Sequence, residues 1–92
     1  MENKTPSPTG ITGLQAAQRG NFREALACLQ TAIAEGDSHN DVLLGAAFSA
    51  RAVSNFEYCL ETIDRYLLTN PKDINANLIK ADALTGLGKT KA

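Results

Sequence analysis

The stretch Ala83-Leu-Thr-Gly-Leu-Gly-Lys-Thr90 holds the residue types that point most directly to chemistry. Its spacing is that of a phosphate-binding loop with Ala83 in the first glycine position. In such a loop Lys89 reaches the β- and γ-phosphates and Thr90 holds magnesium. The chemistry needs a strand before the loop and a helix after it. Here a helical pattern precedes it, two residues follow Thr90, and no acidic Walker-B strand accompanies it. A nucleotide-binding enzyme is therefore the weakest reading of the chain. His39 is the only histidine, in a polar loop between Asp37 and Asp41. It has no Ser or Cys partner arranged for catalysis, so it reads as a solvated loop residue. Cys28 and Cys59 form no CxxC pair, and each lies within an apolar helical pattern. They read as small buried hydrophobes rather than as a disulfide or a metal site. The expectation is no catalytic residue, no metal and no cofactor.

The bulk composition agrees. Of the 92 residues, 43% are hydrophobic and 21% charged, as in an ordinary globular domain. Net charge is -1, with the two signs interspersed. A nucleic-acid surface carries a basic stripe, and none is present. The same balance points away from an anionic membrane surface. The first residues have no apolar signal-peptide core, and no apolar run approaches the ~20 residues that span a bilayer. The expected compartment is the reducing cytoplasm.

What positions these side chains is a set of helices. Phe22, Ala25, Leu26, Leu29, Ala32 and Ile33 form one apolar stripe of a helix that Asn21 caps, with Glu24 placed for a capping box. Phe56, Cys59, Leu60, Ile63, Tyr66 and Leu67 repeat that stripe. Asn21 and Asn55, Phe22 and Phe56, Leu26 and Leu60, Leu29 and Ile63, Ile33 and Leu67 are each 34 apart. A fixed offset of that size marks stacked helical hairpins. Between the two stripes, the segment from about 40 to 53 is apolar on more than one face, as a helix with neighbours on two sides would be. Pro6, Pro8 and Gly10 put residues 1–9 in a flexible tail, with a first helix starting near Thr9 or Thr12 and closed by Gly20. Gly36 ends the second helix, and the loop 37–41 supplies the next cap. Asn70-Pro71 ends the fourth, with Asn70 in a left-handed cap. Asp73 caps a fifth helix over about 73–87, and 89–92 form a short tail. The predicted fold is all-α, with hairpins at about 10–36 and 40–70 and one unpaired helix. Leu26, Leu29, Leu60 and Ile63 are expected to be almost fully buried.

The pattern resembles the tetratricopeptide repeat, in about two and a half copies over residues 9–88. Gly13, Ala47 and Ala81 take the family's small position in the first helix of each hairpin. Ala25 and Cys59 take the small position early in the second helix. Gly20-Asn21-Phe22 and Ser54-Asn55-Phe56 fit the turn between them, and Pro71 follows the second hairpin as the family prefers. The aromatics the family favours in its first helices are replaced by Thr9, Leu43 and Asn77, and by Ala16, Ala50 and Leu84.

The resemblance implies a right-handed superhelix that binds a peptide or partner protein on its concave side. The residues placed there are Leu14, Gln18, Leu44, Phe48, Arg51, Asn75, Leu78 and Asp82, with Arg51 and Asp82 as polar anchors. Members that clamp a C-terminal carboxylate use polar and basic residues at positions held here by Gly10, Leu14, Gly45, Asn75 and Ile79. Of these only Asn75 can contribute, so such tails are not the expected ligand. The alternative function is self-association, most simply as a homodimer, through the unpaired fifth helix, whose Ile74, Leu78, Ile79, Leu84 and Leu87 exceed what one face can hide.

Overall fold

A computed structural model describes residues 6–88; the expected tails at 1–5 and 89–92 lie outside the described residues. The described residues form five α-helices and no strand, an all-α fold. They are α1 (Pro8–Gln18), α2 (Phe22–Ala34), α3 (Asn40–Ala52), α4 (Phe56–Thr69) and α5 (Ile74–Gly86).

The turns show why the helices stop where they do. Gly20, Ser54 and Gly88 all have positive φ, at 82°, 64° and 71°. They close α1, α3 and α5 at the 34-residue offset. After α1, Asn21 N–H donates to Ala16 C=O at 2.9 Å, and after α3, Asn55 N–H donates to Ala50 C=O at 2.8 Å. These are Schellman closures, which satisfy carbonyls a helix end otherwise leaves open. Gly36, at φ 104°, lets Asp37 close α2 in the same way onto Ala32. Asn70 departs from the expected left-handed cap. Its φ is -135°, and its side-chain amide donates to Tyr66 C=O at 3.2 Å instead.

The start of the chain differs from the expected tail. Pro8 and Thr9 lie inside α1, and Ser7 caps it by accepting from Gly10 N–H at 3.1 Å. Proline suits a first helical position because its missing N–H would be unpaired there anyway. Buried Asp37 then holds Ser7 N–H at 2.8 Å and His39 N–H at 3.0 Å. Gly10 is buried because a side chain there would meet that carboxylate and Val42. Two other caps also differ. Asn21 stands at the start of α2 but makes no capping hydrogen bond. His39, not a solvated bystander, caps α3 through Nδ1, which accepts from Asp41 N–H at 3.0 Å.

Each helix packs on the next, and α1 also meets α3 and α3 meets α5, whereas among the described residues the backbones of α2 and α4 do not come close and only side chains such as Tyr58 link their cores. The helices thus form two layers, α1–α3–α5 and α2–α4. Helix α3 feeds two cores, which is why it is apolar on two sides. Val42 and Ala46 join Ala16, Ala25, Leu29 and Ala32. Leu43, Ala47 and Ala50 join Leu26, Cys59, Ile63, Tyr66 and Ile79. The many alanines let the helices approach closely.

Leu26, Leu29 and Ile63 are buried, but Leu60 is only half-buried. Leu26 belongs to a core that residues of α3, α4 and α5 complete. Leu60, 34 residues on, has only α5 beyond it. Helix α5 shows the same shortfall. Its Ala76, Ile79 and Ala83 are buried, whereas Asn77 and Ala81 are exposed and Leu84 is half-buried. Those last three are 34 residues after Leu43, Ala47 and Ala50, the side of α3 that packs on α4.

Candidate binding groove

The layer α1–α3–α5 encloses an open groove of ≈ 550 Å³. It is lined by Leu14, Ala17 and Gln18 from α1, by Asp41, Leu44, Gly45, Phe48 and Arg51 from α3, and by Asn75, Leu78 and Ile79 from α5. Positions 14, 17 and 18, then 41, 44, 45 and 48, then 75, 78 and 79 are each one stripe at helical spacing. Three parallel stripes give a hollow of the size of ordinary ligand sites.

Of the eight residues read from the sequence, Leu14, Gln18, Leu44, Phe48, Arg51, Asn75 and Leu78 line this groove together. Asp82 does not. Its Oδ2 accepts from Arg51 Nη1 at 2.9 Å at the edge of the groove. Leu44 is half-buried and also packs on the core, while Leu78 is 57% exposed. Gln18 and Asn75 are exposed amides. Leu14 can lie across α3 because Gly45 has no side chain: a Cβ there would sit 2.6 Å from Leu14 Cδ2.

Phe48 is fixed from two sides. Its ring meets Phe22 edge-on with centroids 5.5 Å apart, and the Arg51 guanidinium lies 4.9 Å from its centroid. Both contacts suit the ring quadrupole. Arg51 is therefore engaged by Phe48 and Asp82, rather than standing free as the polar anchor expected of it.

Four lining residues, Ala17, Asp41, Gly45 and Ile79, are not among those eight, and of them only Asp41 is charged. Asp41 reads in the sequence as a loop and capping residue, yet it precedes Leu44 and Gly45 by three and four positions, on their stripe. Its side chain is 71% exposed. Tyr66, in the core that α3, α4 and α5 share, donates its hydroxyl to Asp73 at 2.6 Å. That bond, then burial, then the charges of Asp73 and Asp41, push the phenol up to about 12. The same bond holds the Asp73 carboxyl below its ordinary value, helped by Ala76 N–H.

The remaining chemical candidates lie elsewhere. Ala83 to Gly86 belong to α5, so a helix rather than a strand leads into the glycine-rich stretch. Gly86 seats the Phe56 ring, and Gly88 makes the left-handed turn. Lys89 and Thr90 lie outside the described residues. Cys59 is buried and Cys28 half-buried, both as free thiols. Burial raises the Cys59 thiol above its ordinary value. Among the described residues no group of His, Cys, Asp and Glu is gathered to hold a metal, and no helix is long and apolar enough to cross a membrane.

Compared with protein-family models, curated proteins and solved structures, the chain gives no match.

Proposed function

We propose that this chain is a protein-interaction module of tetratricopeptide type, binding a peptide or a segment of a partner protein along the α1–α3–α5 groove. The observation that carries the reading is the convergence of one stripe from each of three helices on one open, mainly apolar hollow. The 34-residue offset of its left-handed turns supports the family assignment. Further stacking at that offset would wind the helices into the family's right-handed superhelix. The lining favours binding over catalysis. It offers aliphatic side chains, two amides, one free carboxylate and one arginine already paired. The free thiols fit a reducing compartment such as the cytoplasm.

Leu78 tests this reading because it is exposed and lies in the groove. Partners retained by the immobilised wild-type chain and lost by Leu78→Asp support it. An identical set retained by both proteins overturns it.

A second reading is self-association through the open side of α5. The contrast between buried Leu26 and half-buried Leu60 favours it, since a second copy can supply the missing cover.

A further inference from the structure

We infer that the segment bound in this groove is apolar and carries a lysine or arginine whose cation rests against Asp41. This adds the chemistry of the ligand to the peptide-site reading, and it rests on that reading.

Three charged side chains stand in the groove or at its edge: Asp41, Arg51 and Asp82. Arg51 donates to Asp82 at 2.9 Å and covers Phe48 at 4.9 Å. As a unit that pair presents no net charge to an incoming group. Asp41 has no equivalent counter-ion. His39 Nδ1 lies 4.0 Å from Asp41 Oδ2, and the same nitrogen accepts the Asp41 N–H at 3.0 Å. An accepting ring nitrogen carries no proton, so it offers the carboxylate no hydrogen bond. The α3 N-terminus offsets on the order of half a charge, which leaves this end of the groove negative.

The other contacts set the rest of the ligand. Leu14, Leu44 and Leu78 give it an apolar floor, and Gln18 and Asn75 can pair with its backbone. An acidic side chain or a free carboxylate at Asp41 would meet like charge in a partly dry hollow, which disfavours binding.

The test uses capped peptides Ser-Leu-Leu-X-Leu-Leu-Ser, with X as Lys, Gln or Glu, titrated into the whole chain and followed by NMR. The Lys peptide should bind more tightly than the Gln peptide by up to about fivefold, the upper end for one exposed ion pair, and the Glu peptide should bind most weakly. Raising the salt should shrink the Lys-to-Glu ratio, and so should Asp41→Asn. Equal binding of Lys and Gln peptides, a preference for Glu, or a ratio unmoved by both salt and Asp41→Asn overturns the inference and leaves the peptide site standing. If Asp41→Asn fails to fold, the salt dependence of the wild-type ratio decides alone. If no peptide shifts the groove resonances, the peptide-site reading falls, and this inference with it.

Discussion

Arg51 and Asp82 are 31 positions apart in sequence and 2.9 Å apart in space. The pair joins the C-terminal end of α3 to α5 across the edge of the groove. It turns two apparent ligand anchors into a strut that holds the third stripe against the second. Lys80 and Asp64, also 2.9 Å apart, tie α5 to α4. The last helix is thus held by charge as well as by Ala76, Ile79 and Ala83.

The strut should be modest in energy, because Arg51 and Asp82 side chains are 30% and 57% exposed. A double-mutant cycle with Arg51→Ala and Asp82→Ala should give a coupling of about 0.2–1 kcal/mol. Denaturant unfolding of the four proteins measures it. A coupling several times larger would show that the pair is far drier than its exposure indicates.

Core position, rather than residue type, should rank the leucines. Leu29 is fully buried and sits where Gly13 leaves room for it. Leu29→Ala should cost about 2–5 kcal/mol, a large part of the stability of so small a domain. Leu60→Ala should cost clearly less, since Leu60 is only half-buried. Melting temperatures of the two variants check the order, and equal losses would contradict it.

Much of this fold was legible in the sequence, because helix existence depends on local signals. Apolar spacing and the residues at the turns located α2 to α5 closely. The groove was legible for a related reason: residues on one stripe of each first helix must share a face once the offset is known. Three features were not legible. Ser7-Pro8 reads as a tail until Asp37, 30 residues away, supplies a partner for its N–H. The burial of Leu60 depends on helices beyond it rather than on its own stripe. Asp41 reads as a cap because nothing local reveals which way α3 is turned.

Ser54 holds φ at 64° where the equivalent turns use Gly20 and Gly88. A side chain in the left-handed region costs roughly 1–2 kcal/mol, which glycine avoids. Ser54→Gly should therefore stabilise the protein by about 0.5–1 kcal/mol after the extra freedom of the unfolded chain is counted. Gly20→Ser should destabilise it, although open space surrounds Gly20. Thermal unfolding of both variants tests the pair. A loss of stability in Ser54→Gly would show that the serine is not strained.

The Tyr66–Asp73 bond should give stability a plateau in pH. Asp73 has a lowered folded value, chiefly through the Tyr66 hydroxyl, so its contribution is present above the ordinary carboxylate range and lost as pH falls through that lowered value. Tyr66 is raised to about 12, so its contribution is present below the ordinary phenol value and lost as pH rises through about 12. The melting-temperature gap between wild type and Tyr66→Phe should be widest from about pH 4 to 10 and narrow on both sides. Asp37 adds a separate acid limb. Burial works to raise its value, but the Ser7 and His39 N–H donors outweigh it and hold it low. Tyr66→Phe should therefore keep acid sensitivity that Asp37→Asn removes. A gap independent of pH would show that the phenol–carboxylate bond does not form in solution.

The open side of α5 should let two chains associate. Ile74 is 75% exposed and Leu78 57% exposed. Leu78 lies on the groove face, whereas Ile74 stands three and seven positions before Asn77 and Ala81, at the edge of the side left without a partner helix, which presents Asn77, Ala81 and Leu84 beside half-buried Leu60. That side is narrow, and small Ala81 permits close helix approach. A two-fold contact there would place each Leu84 near the other chain's α4–α5 seam. Sedimentation equilibrium should therefore show a concentration-dependent monomer–dimer exchange rather than a tight dimer. Leu84→Asp should abolish it, whereas Leu78→Asp, on the groove face, should leave it intact. Dimerisation lost with Leu78→Asp but kept with Leu84→Asp would move the contact into the groove. A monomer at all concentrations would mean that α5 closes the stack unaided.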